Sequence, residues 1–382
     1  MFSSSKNPRL AMHVCHFCET SVEGEYFRHI AEGLICRGVR ISFLELGKHR
    51  PPSWLASVPG ASYYSLNISR PVAYPLGVLR LANYLRNERI DILHTHLFNS
   101  GLIAGLTKAL YRRPIYAYMR HHTDIVRMLG GATYSWLDKW MSERADRLLT
   151  VSEAAKRYMQ DVDRIRTPID VVHLGFDFNR FACNETSRRE IRNEFGIAED
   201  NFVIGYIGNF APRKGHLQLI TAYAEVLKLV PNARLLLVGR GRLQEVSDLI
   251  GRLGLGRRII FAGWRKDVSK CLNAMDVFVQ PSLSEAFSQV LVEAMGVGLP
   301  VIATDVGGAK EVITNHFNGI LISSDDVDAI THSLHKIWAD SDFATTIANN
   351  GSQSVRDRFG VEIMVQRQFK LYESWLEEYV RL

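Results

Sequence analysis

The segment Asp276–Glu311, DVFVQPSLSEAFSQVLVEAMGVGLPVIATDVGGAKE, constrains the fold more than any other part of this 382-residue chain. Its apolar run Val277–Gln280 stops at Pro281-Ser282, and an acid follows at Glu285. The spacing then predicts a helix from about Ser288 to Met295 that carries a second acid, Glu293. A new apolar run, Pro300–Thr304, ends at Asp305 and the pair Gly307-Gly308. Strand, helix and strand at these lengths specify a parallel βαβ unit. Ligands of such sheets bind outside the carboxyl ends of the strands. Both acids and the glycine turn therefore belong to a binding cleft, and a catalytic one is expected.

The same alternation runs through the chain. Strands are expected near Met12–Phe17, Arg40–Leu46, Asp91–His96, Ile115–Met119, Arg147–Val151 and Asp170–His173, with helices between them and a long loop at Pro51–Pro59. The pattern restarts with strands Val203–Gly208, Arg234–Val238 and Arg258–Phe261. Two doubly wound α/β domains follow from this order. Their expected bounds are 1–175 and 176–358, with a closing segment 359–382 whose Ile363, Phe369, Tyr372 and Trp375 fall on one helical face.

Composition narrows the class. A hydrophobic share of 47% and a charged share of 23% suit a globular chain, and a length of 382 residues favours two cores over one. No apolar run reaches the ~20 residues needed to span a bilayer, and the first residues lack the apolar centre of a signal peptide. A cytoplasmic location is expected. The net charge of +6 favours anionic ligands or an anionic membrane face. No basic run with interleaved aromatics appears, so nucleic acid is not an expected partner. Cys15-x-x-Cys18 lies within the first strand pattern with no second Cys/His pair at zinc spacing, and reads as strand packing.

Three constellations carry chemistry. Arg213-Lys214-Gly215 follows a strand and opens a helix, so two cations and free helix N–H groups form an anion site suited to a diphosphate. Neither a Walker loop nor a full GxGxxG accompanies it. Glu285 and Glu293 bracket Phe287-Ser288-Gln289 at a helix start, where backbone N–H groups meet hydroxyls or phosphate oxygens. In the first half His94-x-His96 ends one strand and Arg120-His121-His122-Thr123-Asp124 follows another. His94 and His96 share a face, but a metal there would need further ligands, and no metal is expected. His121 is the better functional candidate.

Taken together these residues resemble family-4 retaining glycosyltransferases of the GT-B fold. ADRLLTVSEAAKRYM (145–159), VVHLGFDFNRF (171–181), IGYIGNFAPRKG (204–215), LLLVGRG, IIFAGW, the segment PSLSEAFSQVLVEAMGVGLPVIATDVGGAKEVI and FNGILI (317–322) follow the family's order. The resemblance implies two Rossmann-like domains facing across a deep cleft, with the closing helix crossing back to the first. It implies that Arg213 and Lys214 hold the donor diphosphate, that Glu293 binds the ribose hydroxyls and that Glu285 lies against the donor sugar. Phe287, Ser288 and Gln289 would offer backbone N–H groups, and His121, or His122 in an alternative register, would be the first-domain histidine. One departure stands out: the family's Gly-Gly loop after the first strand is here Glu19-Thr20-Ser21-Val22-Glu23-Gly24.

The implied activity is retaining transfer of a sugar from a nucleoside-diphosphate donor to a saccharide or lipid-linked saccharide acceptor, without a metal or other cofactor, in cell-surface polysaccharide or lipopolysaccharide synthesis. Trp54, Tyr63, Tyr64 and Tyr74 in the long loop are compatible with a peripheral membrane contact, although aromatics so placed are more often packing residues. The alternatives are another GT-B enzyme, a phosphorylase or epimerase, or a protein that binds sugar nucleotides without chemistry.

Overall fold

The computed structural model describes residues 12–48, 50–121, 125–241 and 244–381. The chain divides into two compact units, one of Met1–Gly175 with Val361–Leu382 and one of Phe176–Gly360.

The first unit is built on a seven-stranded parallel sheet. Its strands are β1 (His13–Cys18), β2 (Arg40–Glu45), β3 (Ala61–Ser65), β4 (Ile92–His96), β5 (Ile115–Arg120), β6 (Arg147–Thr150) and β7 (Ile169–Val171). Their order is β3-β2-β1-β4-β5-β6-β7, which reverses direction of growth between β1 and β4. β1, β4 and β5 are buried along their whole length, as expected where helices cover both faces of a parallel sheet. Cys15 and Cys18 are accordingly free and buried within β1. β3, half-exposed and only five residues long, is an edge strand that the apolar pattern of the sequence does not mark.

Helix Val361–Arg381 belongs to this unit. Its apolar stripe buries Met364, Val365, Tyr372 and Trp375. The Trp375 indole N–H donates to Asp170 Oδ2 at 3.1 Å. Trp54 is not a surface aromatic: its ring stands edge-on to Phe43 at 5.2 Å and its Nε1–H donates to the Val22 carbonyl at 3.0 Å. Tyr63 is likewise engaged, donating its hydroxyl to Glu45 Oε2 at 2.9 Å. Tyr64 is exposed and stacks on Tyr84 at 5.2 Å. Among the described residues no helix is long and apolar enough to cross a membrane.

The second unit carries a six-stranded parallel sheet of β8 (Phe202–Ile207), β9 (Ala233–Val238), β10 (Ile259–Gly263), β11 (Val277–Gln280), β12 (Val301–Thr304) and β13 (Ile320–Ile322), in the order β10-β9-β8-β11-β12-β13. Here the switch falls between β8 and β11, and the crevice outside the carboxyl ends at that point is where open sheets bind ligands. Leu219, Tyr223 and Val226 of helix His216–Leu229 pack on Leu235, Leu237 and Val277 of the sheet in one core. The expected helix from Ser288 runs from Gln289 to Val297, and Gly298 in the left-handed region (φ 94°) stops it.

Truncating a buried indole removes its packing and leaves a cavity. Trp375→Ala should therefore cost the first unit about 3–5 kcal/mol, read from its transition in urea. A loss under about 1 kcal/mol would show that the closing helix is not part of that core.

Candidate functional site

Four loops are stitched together at the carboxyl edge of the second sheet. The turn after β8 meets the loop after β11 through Gly215. Its φ of 70° needs a glycine, and a side-chain carbon there would run into the Pro281 carbonyl. The Leu283 N–H donates to the Arg213 carbonyl at 2.7 Å, and Arg213 Nη1 donates to the Ser284 carbonyl at 3.3 Å. The loop after β12 meets the same segment through Gly307 (φ 55°), packed against the Glu285 carbonyl. The Phe210 N–H donates to the Arg240 carbonyl at 2.7 Å and ties in the loop after β9.

This stitching sets Lys214 against Glu285. The Lys214 ammonium forms an ion pair with Glu285 Oε1, with side-chain exposures of 18% and 11%. The same oxygen accepts from Ser282 Oγ at 2.9 Å and from Gln280 Nε2 at 3.3 Å. Gln280 is oriented in turn by Ser288, whose hydroxyl donates to its Oε1. Thr304 at the end of β12 donates to the Ser282 carbonyl. Glu285 is thus held by three donors drawn from two loops and a strand end. A lysine ammonium has three donor positions, of which Glu285 uses one.

Ser288 is the N-cap of helix Gln289–Val297, accepting from the Leu291 N–H at 3.4 Å. The first-turn N–H groups and the positive end of the helix dipole lie beside Lys214 and Glu285 in the fold, a setting for anionic or hydroxyl oxygens. Phe287 is buried against Phe359 at 5.6 Å, which fixes the backbone approach to that turn, and Gln289 is exposed. Glu293 sits one turn further along the helix and is half-buried. Burial raises its carboxyl to about 7, against the opposing pull of the Arg180 charge. Burial also pushes His216 down to about 4, with Lys214 adding to the shift, and its ring stacks on Phe210 at 4.4 Å. Gln280, Ser282 and Thr304 are additions that sequence reading missed. Gln280 ends a strand and Ser282 follows a proline, positions that by themselves read as ordinary strand-end polarity.

In the first unit His121 lies half-buried at the end of β5. The preceding Arg120 is buried and pairs with Asp138 at 3.0 Å and Asp163 at 2.8 Å, which anchors the strand end. His122 and Asp124 lie outside the described residues. His94 and His96 do share a face of β4, and β1 adds His16 to them, so that one nitrogen from each of the three lies within 4.8 Å of the others. The loop that follows β1, Glu19–Gly24, is tied by carboxylates. Glu19 accepts from the Asn99 N–H, and the Val22 N–H donates to Glu45 Oε1 at 2.7 Å. Glu23 accepts from the Ser53 N–H at 2.8 Å. Beside this loop opens a cavity of about 320 Å³ whose lining includes Glu19, Lys48, Ser69, Tyr74 and Asn99.

The chain matches the family Glycosyl transferases group 1 over residues 187–354 and Glycosyltransferase Family 4 over residues 24–180. It belongs to the family-4 glycosyltransferases of the GT-B fold. An uncharacterised glycosyltransferase of Methanocaldococcus jannaschii is 26% identical, over 91% of this chain and 93% of that protein. The UDP-Gal:alpha-D-GlcNAc-diphosphoundecaprenol alpha-1,3-galactosyltransferase of Escherichia coli is 26% identical over 77% of this chain and 78% of its own length. Among solved structures, Anabaena HepE in complex with UDP superposes with a TM-score of 0.78 at 23% identity, covering 95% of this chain and 100% of that one. The chain is therefore a glycosyltransferase with relatives in cell-surface polysaccharide synthesis.

The Glu293 environment makes a pH-dependent prediction. Its folded pKa of about 7 lies above the unfolded value of 4.5, so the native state holds the proton more tightly. Stability contributed by this group falls as pH rises from the lower value through the upper. Glu293→Gln lacks the penalty. Its stability relative to the parent should rise between pH 5 and pH 8 by at most about 3 kcal/mol, at about 1.4 kcal/mol per unit. Equal differences in urea unfolding at the two pH values would contradict the assignment.

Proposed function

We propose that the protein is a retaining, metal-independent glycosyltransferase that takes its sugar from a nucleoside-diphosphate donor bound at the carboxyl edge of the second sheet. The observation that carries this reading is the Lys214–Glu285 pair held beside the start of helix Gln289–Val297. One edge thus offers cations and N–H dipoles for a diphosphate and a fixed carboxylate for a sugar.

In this reading Arg213, Lys214 and the backbone N–H groups of Phe287, Ser288 and Gln289 receive the diphosphate. They stabilise the charge that grows on it as the bond to the sugar breaks. Preorganisation is what makes such donors effective, and the loop contacts at Gly215 and Gly307 supply it. Glu285 accepts hydrogen bonds from the donor sugar and offsets positive charge at its anomeric carbon. Glu293 accepts from the ribose hydroxyls. The acceptor hydroxyl attacks the anomeric carbon on the face the leaving group departs from. The carbon–phosphate oxygen bond breaks as the new glycosidic bond forms, and the hydroxyl proton passes to the departing phosphate. His121 serves the acceptor side from the first unit.

The acceptor is a saccharide or lipid-linked saccharide. The Escherichia coli relative's name specifies a diphosphoundecaprenol-linked acceptor, and that of a Staphylococcus aureus relative, 24% identical, specifies capsular polysaccharide biosynthesis. The HepE complexes with UDP and UDP-glucose favour a uridine donor over a guanosine one. The cavity beside Glu19 and Lys48, polar and open, is suited to sugar hydroxyls. Turnover at a membrane-borne acceptor would place the protein peripherally on the membrane surface.

Thermal unfolding with UDP, GDP and ADP in parallel tests the donor site. A diphosphate at 100 times its dissociation constant adds about 2.7 kcal/mol, a shift of roughly 5 °C or more for a unit of this size. The shift should appear with UDP and vanish in Glu293→Ala. No shift with any of the three would overturn the donor reading. With donor and acceptor in hand, Lys214→Ala should lower kcat by about 100-fold or more, the cost of losing one preorganised donor, with little change in melting temperature.

A further inference from the structure

The segment Arg70–Asn87, RPVAYPLGVLRLANYLRN, carries three arginines and no acid. Pro71 opens a 3-10 turn, Pro71–Ala73, and Pro75 lies in the first turn of the helix Tyr74–Asn87 that follows. Proline fits both places because a first-turn N–H has no helical partner to lose. The helix buries Val78, Leu81, Ala82 and Leu85 against the first unit. At about 3.6 residues per turn, Leu76, Leu79 and Asn83 fall on the opposite face, and Val72 precedes Leu76 by one turn.

The outer face of a surface helix is ordinarily polar. Here Val72 is 85% exposed, Leu79 60% and Leu76 45%. Arg70, Arg80 and Arg86 are exposed around this stripe. Arg80 Nη1 donates to the Leu66 carbonyl at 2.6 Å and Arg86 stands over the Tyr111 ring at 5.4 Å, which keeps both guanidinium groups beside the helix.

Apolar side chains bordered by arginines, with no acid among them, suit a helix lying in the interface of an anionic bilayer. A second copy of this chain suits the stripe poorly. A two-fold contact sets a surface against itself, so arginines would face arginines with no carboxylate between Arg70 and Asn87 to offset them. Three apolar side chains also fall well short of the roughly 800 Å² per partner that a stable interface buries. The stripe adjoins the cavity beside the loop after β1, because Tyr74, at the start of the helix, lines that cavity with Ile68, Ser69 and Lys48.

We propose that the exposed face of helix Tyr74–Asn87, together with Val72, is a docking surface for an anionic phospholipid bilayer. Val72, Leu76 and Leu79 enter the boundary of the acyl region, and Arg70, Arg80 and Arg86 meet lipid phosphates. Of the aromatics that the sequence offered for a membrane contact, Trp54 and Tyr63 are bonded inward and Tyr74 lines the cavity. Docking through the helix brings that cavity to the level of the lipid headgroups, where the sugar of a lipid-linked acceptor lies. This consequence rests on the acceptor reading above, whereas the docking surface does not.

Flotation of the full chain with phosphatidylcholine vesicles, with and without phosphatidylglycerol, reads docking in the absence of donor and acceptor. The parent should float with the phosphatidylglycerol vesicles, stay in solution with phosphatidylcholine alone, and be released as salt is raised. Leu76→Gln/Leu79→Gln should weaken binding about tenfold or more. Arg70→Gln/Arg86→Gln should weaken it about 25-fold, at about fivefold per arginine. These side chains are exposed, so both variants should keep the parent's circular dichroism and melting temperature. Trp264→Gln removes an exposed indole flanked by Arg240 and Lys266 in the second unit, and as the control should bind like the parent. A parent that ignores anionic vesicles at low salt would overturn the proposal. So would unchanged binding in either helix variant, or binding lost in Trp264→Gln. A parent dimer in sedimentation velocity that Leu76→Gln/Leu79→Gln dissociates would overturn it as well, and would assign the stripe to a second copy. None of these outcomes bears on the melting shift with UDP, so failure here is distinct from failure of the glycosyl-transfer reading.

Discussion

The close approach of backbone to backbone at Gly215 and Gly307 underlies the chemistry of the second unit. Parallel strands deliver their loops to one edge, but topology alone leaves those loops independent of one another. At Gly215 a positive φ lets the turn after β8 rest on the Pro281 carbonyl, and at Gly307 the loop after β12 rests on the Glu285 carbonyl. A side chain at either position would push the loops apart, and Lys214 would lose its place against Glu285. The ion pair and its Ser282 and Gln280 donors are consequences of that contact.

The first unit uses a different device. Its strands carry histidines whose charge burial suppresses, and these are hydrogen-bonded to one another and to Tyr372 and Gln368. These last two residues arrive on the last helix of the chain, so the end of the sequence joins a polar network begun on the first strand. His94 Nε2 is buried with no hydrogen-bond partner among the described residues, so the network is not fully satisfied. The Tyr372 hydroxyl, 2.6 Å from His94 Nδ1, still joins the closing helix to the sheet by polar as well as apolar contact.

Much of this is legible in the amino-acid sequence. The strands β8, β9, β11 and β12 announce themselves because strands buried on both faces read as apolar runs with polar stops. Ordered motifs around Arg213, Lys214, Glu285 and Glu293 mark the edge where ligands bind. What the sequence hides is non-local. The Lys214–Glu285 pair joins residues 71 positions apart, and the His16–His96 bond joins residues 80 apart. Register supplies the second: His16 pairs with His94 on the neighbouring parallel strand, which brings His96 to the same face two residues on. β3 escapes notice because a short, half-exposed edge strand lacks an apolar run. The sequence leaves open whether Trp54 packs or faces outward, because a 3-10 turn such as Ser53–Ser57 has no strand or helix period to show which way the indole points.

Hydrogen–deuterium exchange of the full chain with and without UDP tests the donor site most directly. Slowed exchange in the turn Asn209–Lys214 and in the segment Ser282–Glu293, with the carboxyl edge of the first sheet unchanged, is the predicted result. Protection confined to the first unit, or none in those two segments at saturating UDP, would contradict a donor site built on Lys214 and Glu285.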